Sequence, residues 1–366
     1  MTAITKSAKP YVARLSTYQP GRPIEEVARE LGFDPNEVIK LASNENALGP
    51  SPRALEAMRQ SAPKMHLYPD GDTFYLRQAL AKKNGVKEGQ LFFGHGSNEI
   101  IALLGHVYLE KGTNVVASQT AFVVYKLVAA LYEADCIEVP MRNFTHDLDT
   151  MREAITPQTR LVFIANPNNP TGTVVDNAAL DRFIASLPPH VVCVLDEAYI
   201  ELMPPEKRPD SIGYVRNGKP VYVLRTFSKA YGLAGLRIGY AIAAEDGVSL
   251  LHRVRQPFNV NAMAQAAALA ALDDDAFVTK TRKMTLDGLA YLAGEFKKLG
   301  LPFVPSSANF VLVKTGKGRE VCAALQRRKV IARPVDPYGL PEYIRVTVGT
   351  TAENAVFISA LKKVLA

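Results

Sequence analysis

The sequence predicts an α/β protein: a large domain with a mostly parallel sheet covered by helices, and a small α+β domain beside it. Three observations predict this. Between about residues 90 and 245, short apolar runs rich in Val and Ile alternate with amphipathic stretches, the pattern of parallel strands joined by helices on both faces. From about residue 280 onward, shorter helical and strand-like segments alternate on a smaller scale. The 366 residues, 48% of them hydrophobic, are enough for about two cores at ~150 residues per domain.

Taken in order, the chain opens with MTAITKSAKPYVARL, which lacks the apolar stretch of a secretory signal. PIEEVARELG reads as an amphipathic helix, followed by VIKLASNENALGPSP, rich in turn-forming residues. Residues 1–50 are therefore assigned to an N-terminal arm and part of the small domain. Residues 51–280 form the large domain. Its candidate strands are LFF (91–93), NVVA (114–117), CIEVP (136–140), RLVFIA (160–165), VVCVLD (191–196) and VYVLR (221–225). Helical patterns such as SNEIIALLGHVYLEKG, AFVVYKLVAALYEA and NAALDRFIASLP lie between them. One long helix is predicted from near Asn261 as a bridge to residues 281–366. That last stretch, the C-terminal small domain, reads as helix, strand (NFVLVKT), helix (REVCAALQRRKV), strand (YIRVTVGT) and a closing helix.

Composition narrows the function. The net charge of +7 is spread along the chain without a basic run or a recognisable nucleic-acid module, so no nucleic-acid partner is expected. The most apolar windows, such as 262–272, are too short to span a bilayer. Cys136, Cys193 and Cys322 are far apart and form no CxxC, which argues against both a disulfide framework and a zinc site. The histidines show no metal-ligand spacing such as HExxH, and no metal is expected. A cytoplasmic enzyme is the expectation.

In an open parallel sheet, ligands bind beyond the carboxyl ends of the strands, so the residues after each apolar run carry the chemistry. After LFF comes Gly94-His95-Gly96-Ser97-Asn98-Glu99 and then a helix. Glycines before a helix N-terminus admit an anion to free N–H groups, although such a turn also serves as a plain connection. After RLVFIA comes Asn166-Pro167-Asn168-Asn169-Pro170-Thr171-Gly172, whose residue types also favour a simple turn. Asp196 ends an apolar strand before Glu197-Ala198-Tyr199; it is either a helix cap or the partner of a buried cation. After VYVLR comes Thr226-Phe227-Ser228-Lys229, then a glycine-containing turn and Arg237. A lysine after a buried strand can form a Schiff base. Together the four sites ask for one ligand with a phosphate, a protonated ring nitrogen, a ring oxygen and an aldehyde. Pyridoxal 5′-phosphate (PLP) has all four.

NNPTG, DEAY and TFSKAYGLAGLR resemble the signature of the fold-type I PLP-dependent aminotransferases. The likeness continues through YQPGRPIEEVARELG, KLASNENALGPSP, YPDGD and ARPVDPYGLPEYIRVTVGT. In that combination it is similar to the histidinol-phosphate aminotransferases of histidine biosynthesis. The resemblance implies that Lys229 is catalytic and carries the cofactor as an internal aldimine, with ping-pong turnover. It implies Asp196 at the ring nitrogen, Asn169 and Tyr199 at the ring 3-hydroxyl oxygen, and Phe122 stacked on the ring. It places the phosphate with Thr226, Ser228, Arg237 and the backbone N–H groups of Ser97 and Asn98. Tyr68 would reach that phosphate from the neighbouring subunit of a homodimer. Many relatives carry tyrosine where Phe122 stands, and GHGSNE replaces their more usual GNGSDE.

The substrates so implied are histidinol phosphate and 2-oxoglutarate, exchanged for imidazole acetol phosphate and glutamate. Tyr18, Arg333 and Arg345 would bind the substrate anion, since a guanidinium fork suits either carboxylate or phosphate. The rival on the same scaffold is an aromatic amino-acid aminotransferase or a dual-specificity enzyme. A PLP-dependent phosphothreonine decarboxylase is a second rival, distinguished by carbon dioxide release without a keto acid.

Overall fold

The computed structural model describes residues 3–15, 17, 18 and 20–366. Its large sheet has seven strands in the order Leu91–Gly94, Gly239–Ile242, Val221–Thr226, Val192–Asp196, Thr159–Ala165, Asn114–Ser118 and Asp135–Val139. Gly239–Ile242 runs antiparallel to both neighbours, and the remaining pairings are parallel. The sheet is thus mostly parallel, as the apolar runs predict.

Both faces are covered, which is why the strands read as continuous apolar runs rather than alternating ones. Val116, Val162, Ile164, Leu195 and Val223 pack on one face with Ala54, Ala264 and Ala268, from helices Pro52–Ser61 and Ala262–Leu272. Val115, Phe163, Val194 and Leu224 pack on the other with Ile101, Leu104, Val128 and Leu251, from helices Ser97–Tyr108, Val124–Leu131 and Glu245–Val254. Each fully buried Leu, Ile or Phe contributes about 1.5–3 kcal/mol relative to exposure.

A second, antiparallel sheet orders its strands Arg333–Pro334, Tyr343–Thr347, Phe310–Lys314 and Phe303–Val304. Its core gathers Val311, Val313, Ile344 and Val346 with Leu292, Phe296, Leu325, Phe357 and Leu361 from three helices. The N-terminal segment returns here: Ile39–Lys40 pairs in parallel with Val330–Ile331, and the Thr347 N–H donates to the Leu41 carbonyl at 2.8 Å. In register, Arg333 stands opposite Arg345.

The single bridging helix expected from Asn261 is in fact two, Ala262–Leu272 and Asp275–Lys298. The break has a local cause. Asp274 turns its side chain back to accept the Phe277 N–H, as an N-cap does, so it starts a helix instead of continuing one. The first helix then packs on the large sheet while the second carries Leu292 and Phe296 into the small core. No helix among the described residues is long and apolar enough to cross a membrane.

Candidate active site

Strands ending at Gly94, Ala165, Asp196 and Thr226 all finish at one edge of the large sheet. The antiparallel strand begins at that edge, paired through Gly239 with Gly94 and Thr226. Arg237, two residues before it, therefore arrives at the same place from the opposite direction. A cavity of about 210 Å³ opens there, closed on its far side by Gly21, Arg333, Tyr338 and Arg345.

One end is built to hold an anion. Ser97 and Asn98 line the cavity as the first residues of helix Ser97–Tyr108, where N–H groups lack partners within the helix and the dipole favours negative charge. The approach depends on glycine. Gly96 has φ +75°, and a Cβ there would lie 2.6 Å from Arg237 Nη2; a Cβ on Gly239 would lie 2.5 Å from the Ser97 nitrogen. Arg237 Nη1 reaches Ser228 Oγ at 3.4 Å and the Ala234 carbonyl at 3.2 Å. Thr226 also lines the cavity, but its hydroxyl donates to the Ile238 carbonyl at 3.2 Å and accepts the Ser228 N–H at 3.1 Å. Its visible work is to shape the turn that presents Ser228 and Lys229.

The middle holds the reactive groups. Asp196 is buried, accepting from the Tyr125 hydroxyl at 2.8 Å and from the Ala198 N–H at 3.2 Å. Both donors are neutral. Burial raises its pKa, opposed first by the Tyr125 hydrogen bond, so a cationic ligand group would restore its charge. Lys229 Nζ donates to the Ser43 carbonyl at 3.3 Å and sits 5.6 Å from the centre of the Tyr199 ring. Burial first, and Arg345 second, lower its pKa to about 8. Tyr199 is buried, accepts from Asn44 Nδ2 at 2.9 Å, and is pushed up to about 12 by burial, so its own proton remains available to donate. Phe122 presents its ring edge-on to Tyr125, with centroids 5.7 Å apart at 87°.

The far end holds two arginines. Arg345 is only 6% exposed, lies 5.3 Å from the centre of the Phe310 ring, and donates to the Ala42 carbonyl at 2.7 Å and Asn169 Oδ1 at 2.6 Å. Its Nε is buried without a partner, and no carboxylate pairs with it among the described residues. A buried guanidinium without an anion is unfavourable, and so are like charges directly opposite on neighbouring strands; an anionic ligand would relieve both. Arg333 and Tyr18 line the same cavity. Asn169 lines it too, but with its oxygen on Arg345 only its NH2 is left to reach a ring oxygen.

Thirteen of the fourteen site residues singled out from the sequence thus line one cavity. Tyr68 does not: it is 84% exposed and stacks on Phe258 with centroids 4.7 Å apart. Sequence reading missed Tyr125, Asn44 and Tyr338. Tyr125 and Asn44 touch other site residues rather than ending a strand, so no local pattern marks them. It also passed over His146, which is buried with Nδ1 2.7 Å from Ser118 Oγ and Nε2 2.9 Å from the Ala165 carbonyl. A carbonyl only accepts, so Nε2 carries the proton; burial lowers the pKa to about 4 and keeps the ring neutral. His146 thereby ties down the strand end from which the Asn169 loop departs. Among the described residues, no group of three or more His, Cys, Asp or Glu could hold a metal ion.

These residues fit PLP: a glycine-lined anion cradle that a Cβ would fill, a buried carboxylate with only neutral donors, and a desolvated lysine between them. A family model described as aminotransferase class I and II matches residues 36–361. The histidinol-phosphate aminotransferase of Akkermansia muciniphila is 50% identical over 364 residues, covering 99% of this chain and 100% of that protein. That of Moorella thermoacetica is 49% identical over 362 residues, covering 98% and 92%. The crystal structure of histidinol-phosphate aminotransferase from Sinorhizobium meliloti in complex with pyridoxal-5′-phosphate superimposes with a TM-score of 0.90 at 28% identity, covering 98% of this chain and 97% of that one.

Proposed function

Because the chain belongs to the class I and II aminotransferases, we propose that it converts histidinol phosphate and 2-oxoglutarate reversibly to imidazole acetol phosphate and glutamate in histidine biosynthesis. Relatives of that name at about 50% identity over nearly the full length support this substrate. The observation that carries the reading is the cavity itself, where a lysine and a carboxylate for PLP share one space with Arg345, which has no carboxylate partner among the described residues and whose buried Nε has no hydrogen bond.

When bound, PLP supplies an aldehyde that takes up an amine and a protonated ring that draws electrons from the substrate α-carbon. The chain's residues supply the rest. Ser97, Asn98, Ser228 and Arg237 hold the phosphate, with Thr226 shaping their turn. Asp196 would hold the ring nitrogen protonated, Tyr199 and Asn169 would donate to the ring oxygen, and Phe122 would stack on the ring. Lys229 would take the proton from the substrate α-carbon and return it as general base and acid. A pKa near 8 suits that task, because a general base works best with a pKa near the operating pH. Arg345 and Arg333 bind the anionic substrate groups, and Tyr18 closes over them. One pocket then accepts a phosphate tail in one half-reaction and a dicarboxylate in the other.

A homodimer completes the proposal, with Tyr68 reaching the phosphate in the neighbouring subunit. Its exposure supports this: Tyr68 is a large aromatic side chain 84% exposed, stacked along one face on Phe258. As an enzyme of amino-acid biosynthesis, it is placed in the cytoplasm. Purified protein supplied with PLP, histidinol phosphate and 2-oxoglutarate tests the activity. Glutamate and imidazole acetol phosphate formed in equal amounts, with parallel double-reciprocal lines, is the expected result. Carbon dioxide release without any keto-acid requirement would reject it.

A further inference from the structure

Tyr125 lies in helix Val124–Leu131 and is 1% exposed. Its ring is clamped. It stacks on Phe163 with centroids 4.5 Å apart and planes within 6°, and meets the edge of Phe122 at 5.7 Å. The clamp aims its hydroxyl at Asp196 Oδ2, 2.8 Å away, while the Ala198 N–H takes Oδ1 at 3.2 Å. Each carboxylate oxygen therefore has one donor, one from a helix and one from the turn that follows the strand, and the two together orient the carboxylate.

We propose that Tyr125 is a positioning residue, whose hydroxyl fixes the orientation and charge of the Asp196 carboxylate against which the cofactor ring nitrogen is held. The inference rests on the reading of this cavity as a PLP site. Burial and the neighbouring Asp196 push the phenol pKa well above its ordinary value, so the group stays a donor. A donor to a carboxylate favours the ionised form and opposes desolvation. The other groups acting on Asp196 are Lys229, which also favours its charge, and Glu197, which opposes it. Phe122 offers no hydroxyl, so Tyr125 is the hydroxyl that this segment gives to the site. Without it, the buried carboxyl keeps a proton that would otherwise sit on the ring nitrogen.

Two variants separate positioning from packing. Tyr125→Phe keeps the stacked ring and deletes the donor; Phe163→Leu keeps the donor and loosens the stack. Each full-length protein, freed of cofactor, is titrated with PLP to obtain its dissociation constant. Each is then loaded with PLP labelled with ¹⁵N in the ring, and the nitrogen resonance is recorded. Tyr125→Phe is expected to weaken PLP binding about tenfold, the effect of losing a hydrogen bond to a charged group. Its resonance is expected to move from the protonated toward the neutral-pyridine position, while Phe163→Leu keeps the wild-type resonance. Wild-type affinity and resonance in Tyr125→Phe would overturn the proposal, as would the same shift in both variants. Failure of the wild-type chain to take up PLP would instead overturn the reading of the cavity.

Discussion

The two ends of the cavity are built on different principles. The cofactor end is made by strand ends of one sheet, so most of its functional residues follow an apolar run within a few positions: Gly96 and Ser97 after Gly94, Asn169 after Ala165, Asp196 itself, and Ser228 and Lys229 after Thr226, with Arg237 arriving just before the antiparallel strand. The anion end is assembled from opposite ends of the chain. Tyr18 and Gly21 meet Arg333, Tyr338 and Arg345, more than 300 residues away, and both arginines stand on the small antiparallel sheet. Chemistry common to every substrate sits on the rigid sheet. Recognition of a particular anion sits where two distant segments meet.

Removing the proton-transfer group breaks the first end outright. Lys229→Ala is expected to lower turnover by at least about 10⁴-fold, since the amine assigned to move the α-proton is lost; steady-state rates with both substrates measure this. Turnover at the wild-type rate would remove Lys229 from the mechanism.

Arg345→Ala tests whether the two ends are separable. It is expected to lower kcat/KM for anionic substrates by about 10²–10³-fold, the loss of a buried, charge-assisted contact. PLP affinity should change far less, and titration of both quantities on one preparation decides it. Equal losses in both would merge the two ends into one.

A smaller effect lies behind the cofactor end. Glu201 is 8% exposed, its Oε2 has no partner, and burial raises its pKa to about 7 from an ordinary 4.5. The folded state therefore holds this proton at pH values where the unfolded chain has released it. Stability from this group falls as pH rises between about 4.5 and 7. Glu201→Gln is expected to match wild type near pH 4.5 and to exceed it by roughly 1–3 kcal/mol above pH 7. Denaturant titrations at both pH values check it; a gap that does not change with pH would contradict the assignment.

The same contrast explains what was legible in the sequence. Periodicity revealed the large sheet because its strands are buried on both faces, and the strand ends then pointed to Asp196 and Lys229. Arg333 and Arg345 lie on strands of two and five residues, and nothing local separates them from surface arginines. They emerged only through family resemblance. The break at Asp273–Asp274 was hidden because helical residue types continue on both sides of it, and only the cap on the Phe277 N–H reveals it. Tyr125 was hidden for another reason: its helix reads as core, and its partner is 71 positions away. Thr226 lines the cavity as the motif suggests, and its hydroxyl also donates to the Ile238 carbonyl, a contact no motif encodes.

The most direct test is a half-reaction titration. PLP-loaded protein, without keto acid, is mixed separately with histidinol phosphate and with phenylalanine while the absorbance of the bound cofactor is followed. An anion end built around Arg333 and Arg345 predicts fast, saturating conversion by histidinol phosphate, with phenylalanine slower by orders of magnitude. Comparable or faster conversion by phenylalanine would contradict that account and make the enzyme an aromatic or dual-specificity aminotransferase.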